Sequence, residues 1–232
     1  MTGLEVLAVE GLPEVRPGAV LAELISRCAE LEDGDVVVVT QKVVSKAEGR
    51  LVPVDRDDDA SRRSVVEGEA VRVLRRRGDL IVAETRHGFV CANAGVDLSN
   101  VPDGWAALLP LDADRSARRI RDGLRAGAGV DVGVVVSDSF GRPWRRGVVD
   151  VAIGCAGIAA LVDLRGTPDA NGRMLAVTEV AVADELAAAA ELVMGKATGL
   201  GVAVVRGVPR VWFRESSVAS ELVRPHGEDL FR

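Results

Sequence analysis

Short apolar runs, stopped by turn residues and separated by amphipathic stretches, organise this chain. Residues 4–9 (Leu-Glu-Val-Leu-Ala-Val) read as a first strand that ends at Glu10-Gly11-Leu12-Pro13. Within 19–31 the apolar residues Val20, Leu21, Leu24, Ile25, Cys28 and Leu31 recur at helical spacing. Val36 to Val39 is a buried-strand pattern that stops at Thr40-Gln41-Lys42. Residues 55–77 are charged, and Val65, Val66, Ala70, Val73 and Leu74 form one apolar face of a mostly helical stretch. Leu80 to Ala83 reads as a strand, 116–126 as a helix, and Val132 to Val136 as another strand. Ile153 to Leu164 fits strand or helix equally, and Leu175 to Val182 suggests a strand. Asp184 to Met194 is an Ala-rich helix, and Val202 to Val205 is a last apolar strand. The last twenty residues read as a polar tail. No regular strand–helix–strand rhythm runs through, so the fold class expected is α/β with mixed α+β character.

Composition narrows the class. The chain has 232 residues, 48% of them hydrophobic, enough for one large domain or two small lobes. No apolar run approaches the roughly 20 residues that span a bilayer. The N-terminus lacks a basic region followed by an apolar stretch, so a cytoplasmic location without membrane attachment is expected. Cys28, Cys91 and Cys155 are widely spaced and form neither a zinc pattern nor a disulfide framework. A formal charge of −6 argues against a nucleic-acid binder that relies on phosphate neutralisation.

Candidate chemistry collects after the apolar runs. Four polar segments, taken as loops, follow strands: Glu10 to Pro13, Thr40 to Lys46, Asn93 to Asn100 and Ser137 to Arg146. The second places Lys42 and Lys46 four apart, which suits either phosphate binding or an exposed helix face. The third holds Asp97 and Asn100 beside Gly95, which is also ordinary turn chemistry. The fourth is the most informative. Val134-Val135-Val136 runs straight into Ser137-Asp138-Ser139, and Arg142, Arg145 and Arg146 follow around Trp144. Carboxylate and hydroxyl oxygens suit Mg²⁺, and arginines grip anions through forked hydrogen bonds. Two carboxylates from separate loops are the minimum for a divalent ion that completes its shell with phosphate oxygens and water. There is no G-x-x-x-x-G-K-[ST] segment, so a nucleotide site here is not a P-loop. Residue chemistry alone reaches a metal-dependent enzyme acting on phosphate-containing substrates. A phosphohydrolase or kinase, or a non-catalytic nucleotide-binding module, would satisfy the same residues.

At these segments the sequence resembles a known family. The strings are Val9-Glu10-Gly11-Leu12-Pro13, Thr40-Gln41-Lys42 through Arg50, Glu84-Thr85-Arg86-His87-Gly88, Cys91-Ala92-Asn93-Ala94-Gly95-Val96-Asp97, Ser137 to Arg146, and Val193-Met194-Gly195-Lys196-Ala197. In this order, from about Leu4 to Arg206, they are similar to the coenzyme F-420:L-glutamate ligase family. The resemblance implies GTP-dependent joining of L-glutamate to the deazaflavin F-420-0 through an acyl phosphate. It implies two divalent ions, Mg²⁺ or Mn²⁺, with K⁺ as a candidate monovalent ion. It also implies a two-lobed fold that forms an intertwined homodimer, with 1–210 as the ligase domain and 211–232 as a tail or the start of a linker. The chain is then either a single-domain enzyme or the N-terminal part of a two-domain one.

Site residues follow from the same match. Asp97 and Asp138 correspond to ligands of one divalent ion, and Ser139 to a hydroxyl ligand of a second. Leu12, Pro13, Glu14, Val15, Gln41, Lys42, Lys46 and Asn100 correspond to GTP contacts. So does the loop Met194, Gly195, Lys196, Ala197, Thr198, Gly199, Leu200 and Gly201. Arg142 and Arg145 are assigned to an anionic substrate by their chemistry alone. Lys196 departs from the family pattern, since it stands where Gln or Glu is expected beside the second ion, and a protonated ammonium cannot be a ligand.

Overall fold

The computed structural model describes residues 3–229. Its largest unit is a five-stranded mixed sheet. The strands are β1 (Glu5–Ala8), β12 (Val202–Arg206), β2 (Val36–Thr40), β8 (Gly133–Arg142) and β9 (Arg145–Ala156), in that spatial order. Only β2 and β8 pair in parallel; the other neighbours are antiparallel. The Val36-Val37-Val38-Val39 run becomes the middle of this sheet, and all four valines are fully buried. Side chains alternate along a strand. Val37 and Val39 therefore join Val134, Val136 and Val204 on one face. There they meet α1 (Leu21–Cys28) and α4 (Ala113–Ala128) through Ile25, Ile120 and Leu124. Val36, Val38, Val135 and Val205 face the other way, onto Leu186, Ala190 and Met194 of α5 (Val182–Met194). Each buried valine contributes about 1.5–3 kcal/mol of burial, which makes this two-sided strand the stable centre of the fold.

Smaller elements surround the sheet. β3 (Leu51–Pro53) pairs with β7 (Trp105–Ala107). β4 (Ala70–Arg77), β5 (Leu80–Thr85) and β6 (Val90–Ala92) form a meander covered by α3 (Asp59–Glu69), with Val66, Ile81, Ala83 and Ala94 as a small core of its own. β10 (Val162–Asp163) and β11 (Glu179–Val180) make a short hairpin. The expected α/β class with α+β character is what the element order displays.

Five sequence expectations are corrected, the last of them at the C-terminus. Thr40 to Lys46 is not a loop: the chain enters α2 (Gln41–Ala47) directly from β2. The helix expected through 77 ends at Glu69, and Ala70 to Arg77 form a strand, because the turn at Gly78-Asp79 pairs them with β5. Ser137 to Arg146 is not a loop either. β8 runs on to Arg142 and returns as β9 after Pro143-Trp144, since the cross-strand ladder continues whatever the polarity of the side chains. Of Leu175 to Val182, only Glu179 and Val180 form a strand.

The C-terminal stretch packs on the body instead of trailing away. Val218 in α6 (Val218–Glu221) is buried, and Trp212, Phe213 and Leu222 lie on the α5 side of the core. The anchor is Asp114, only 6% exposed. Its carboxylate accepts hydrogen bonds from the backbone N–H of Cys155 (2.8 Å), Val218 (2.8 Å) and Ala219 (3.1 Å). One side chain thereby ties α4, β9 and α6 together. The approach is close enough that Gly154 has no room for a side chain: a Cβ there would lie 2.3 Å from the Ala113 carbonyl carbon. Asp114→Ala would leave three amide donors unpaired. We expect a loss of about 2–4 kcal/mol in urea denaturation; an unchanged midpoint would show that Asp114 is not an anchor.

Candidate functional site

β2 and β8 end their shared ladder at the pair Thr40 and Ser137. In sheets with parallel strands, ligands collect beyond such carboxyl ends. Here β2 stops and turns into α2, while β8 continues with only β9 beside it. Among the described residues no strand pairs with the other edge of β8 from Asp138 onward, and a cavity of ≈ 320 Å³ lies against it. Glu14, Gln41, Lys42, Lys46, Asn100, Asp138, Ser139, Met194, Gly195, Lys196, Gly199, Leu200 and Gly201 line it. These are thirteen of the residues that the sequence nominated, gathered from five separate stretches of chain.

The helical form of α2 sets two of them. Residues four apart share a helix face, so Lys42 and Lys46 point together into the cavity. The Lys42 ammonium is 2.5 Å from Asp97 Oδ2 and donates to Ser99 Oγ at 3.0 Å. Lys46 is 2.7 Å from Glu14 Oε1, which draws the 10–15 segment over the cavity. Gln41 is 1% exposed; its Oε1 accepts from Ser45 Oγ, and its Nε2 has no hydrogen-bond partner among the described residues. A buried amide donor left open on a cavity wall suits a polar ligand. Asn100 Nδ2 donates to the Lys196 carbonyl at 3.4 Å, joining the 97–100 turn to the loop after α5. Gly201 lets that loop return beside α2, since a Cβ there would lie 2.5 Å from Val43 Cγ2.

Charge is concentrated around Asp138. Burial pushes its carboxyl up to about 7, the nearby Asp97 and Asp150 carboxylates add to the rise, and the Ser139 N–H and Lys42 oppose it. Asp97 is the reverse case. Burial would raise it, but the Lys42 ammonium and the Ser99 N–H (2.7 Å) hold it below the usual carboxylate range. Two neighbouring carboxyls in unlike states, one short of positive charge, fit a hard divalent ion that takes its other ligands from a bound anion. No group of three or more His, Cys, Asp or Glu among the described residues is arranged to hold a metal unaided, so such an ion would need ligand oxygens.

On the other side of β8, Ser137 and Ser139 share one face. They donate to Asp150, opposite them on β9, at 3.0 and 2.7 Å. Asp150 is 2% exposed. Lys196 reaches it at 2.6 Å, hydrogen-bonds Ser139 Oγ, and lies 3.3 Å from Glu191 Oε1. Burial works against the ammonium's charge, but Asp150 and then Glu191 outweigh it and raise its pKa above that of an ordinary lysine.

Some nominated residues lie elsewhere. Val15 is buried in the core and Leu12 packs against it. Pro13, Ala197 and Thr198 do not line the cavity; the Thr198 hydroxyl closes the helix end on the Met194 carbonyl. Asp97 does not line the cavity either; its carboxylate is held by Lys42, which does. Arg142 and Arg145 are at the far end of the β8–β9 hairpin, where Arg142 donates to the Arg146 carbonyl at 2.7 Å. Neither touches the cavity. Of the other lining residues, Thr40, Val43 and Ser137 lie in segments that the sequence flagged without giving them a role, and Asp150 and Glu191 were missed. Asp150 was legible only through its pairing with Ser139, and Glu191 only as the acidic residue five before Lys196 on the same helix end.

With this geometry in hand, comparison with known proteins decides the family. A family model described as F-420-0:gamma-glutamyl ligase matches residues 11–207. The chain belongs to that family. It is 46% identical to the coenzyme F-420:L-glutamate ligase of Methanopyrus kandleri, with both chains covered fully. Its identity to the Methanothermobacter thermautotrophicus enzyme of the same name is 42%, covering 99% of each chain. The Methanocaldococcus jannaschii enzyme is 40% identical, over 99% of this chain and 95% of the other. Membership places the chain among amide-forming ligases. No helix among the described residues is long and apolar enough to cross a membrane.

The Asp138 carboxyl gives a prediction for the metal-free protein. A carboxyl whose folded pKa is raised favours the fold while protonated, and this support is lost as pH rises through about 7. Asp138→Asn mimics the neutral form, so in chelator its melting temperature should exceed the parent's at pH 8, and the gap should narrow steadily as pH falls from about 7 toward the ordinary carboxylate value of 3.8. A gap independent of pH would show that Asp138 is not strained by its neighbours.

Proposed function

We propose that this chain joins L-glutamate to the deazaflavin F-420-0 at the expense of GTP, in coenzyme F-420 biosynthesis. The observation that carries the reading is one cavity lined by Lys42, Lys46, Lys196 and Asp138, with the carboxylate of Asp97 held beside it by the Lys42 ammonium. Fixed cations beside an ion-binding carboxyl pair are what a triphosphate needs. Family membership supports the substrate pair.

In this reading a substrate carboxylate attacks the γ-phosphorus of GTP, GDP leaves, and an acyl phosphate results. The glutamate amine then attacks the acyl carbon, the carbon–oxygen bond to phosphate breaks, and an amide remains. Lys42 and Lys46 hold the phosphates as point charges from one helix face. Gln41 offers its open Nε2–H to the nucleotide, and the 194–201 loop closes over it with Asn100 as the tie. Asp97 and Asp138 would hold a divalent ion, which supplies positive charge to the β- and γ-phosphates. Cytoplasmic location and a homodimer complete the reading.

The test supplies GTP, Mn²⁺, F-420-0 and glutamate together. We expect GDP release that depends on glutamate and a deazaflavin heavier by one glutamyl residue. GTP turnover that proceeds fully without glutamate, with no mass gain, would replace the ligase by a phosphohydrolase. Asp97→Asn and Asp138→Asn should each lower turnover by at least about a hundredfold with the fold intact by circular dichroism; near-normal activity in either would overturn the metal assignment. Because only two carboxyls face the ion, Mn²⁺ affinity should also rise at least about tenfold when GDP is bound. Titration of Mn²⁺ with and without GDP checks this, and equal affinities would contradict it.

A further inference from the structure

We infer that Lys196 is itself the second cation of this site, so that the cavity takes one divalent ion per chain. The inference rests on the reading of Asp97 and Asp138 as the holders of that one ion. The second ion that the family resemblance implies would be held through Ser139, and the structure gives that place to an ammonium. Lys196 has three N–H donors. They meet three oxygens: Ser139 Oγ, Asp150 Oδ1 at 2.6 Å and Glu191 Oε1 at 3.3 Å.

The oxygens around the ammonium have little left to offer an ion. Ser139 spends its own hydrogen on Asp150 Oδ1 and one of its two lone pairs on Lys196. Asp150 Oδ2 accepts from Ser137. A divalent ion binds its oxygens at about 2.0–2.6 Å through those same lone pairs. It would therefore have to displace the ammonium from a carboxylate that is 2% exposed, or sit against a like charge. The contrast with Asp138 is direct. Lys42 lies on Asp97, and no ammonium is hydrogen-bonded to Asp138 among the described residues.

A tethered ammonium changes the working of the site. It brings one positive charge where an ion brings two, and it is present at any metal concentration. Its position is fixed by Asp150, which the β8–β9 pairing of Ser139 with Asp150 holds in place. Lys196 is thus a positioning and charge-supplying residue on the Ser139–Asp150 side of the cavity.

Counting bound Mn²⁺ by electron paramagnetic resonance, on the full chain saturated with GDP, tests this without activity. We expect one equivalent for the parent and for Lys196→Arg, which keeps the charge, and two for Lys196→Gln, which removes the charge and adds a neutral oxygen. Equal melting profiles establish that the variants are folded. Two equivalents in the parent or in Lys196→Arg, or one in Lys196→Gln, would overturn the inference. No bound Mn²⁺ in the parent would instead overturn the reading of Asp97 and Asp138, so the two failures are distinguishable.

Discussion

The site depends on two parallel strands of unequal length. β2 leaves the sheet at Thr40, and β8 continues through residues 138–142 with, among the described residues, a partner strand on one side only. Were β2 as long as β8, its ladder would close the edge where Asp138 now meets the cavity. Because β2 ends there, its chain turns at once into α2, and Lys42 and Lys46 are brought to the mouth of the gap. The fully buried valine run makes this geometry rigid: its alternate side chains are clamped by helices on both faces, so the strand end cannot slide.

Charge arrangement follows from that gap. Carboxyls from β8, β9 and the 97–100 turn converge, and close carboxylates raise one another's cost of ionisation. The chain compensates two of them internally, Asp97 with Lys42 and Asp150 with Lys196. Asp138 is left with its proton affinity high, at about 7. In the proposed function, that raised proton affinity is the reason a cation would bind there. A serine pair on β8 fixes the orientation of Asp150, so this compensated side of the site is preorganised.

Much of the central sheet was legible in the sequence because its strands are continuous β-branched runs and its helices have clean apolar faces. Val36 to Val39, Val132 to Val136, Val202 to Val205 and the Ala-rich α5 carry their own signals. The polar segments misled, since strand continuation past Val136 depends on β9, which is not visible locally. The helix expected through 77 failed for a similar reason, as pairing with β5 overrides a weak helical pattern interrupted by Gly68. Among site residues, Lys42, Lys46, Asp138 and the 194–201 loop were readable from residue chemistry and resemblance. Asp150 and Glu191 were not, because their importance comes from facing Lys196 in space. Arg142 and Arg145 had the right chemistry and the wrong place: ladder geometry carries them along the hairpin, away from the cavity.

The central claim is that the open edge of β8 holds a metal–nucleotide pair. Crystals grown with GDP and Mn²⁺, measured at the manganese absorption edge, test it most directly. The account predicts an anomalous peak within bonding distance of both Asp97 and Asp138, with the β-phosphate on it and the diphosphate reached by Lys42 and Lys46. GDP bound outside this cavity, or manganese away from both aspartates, would contradict it.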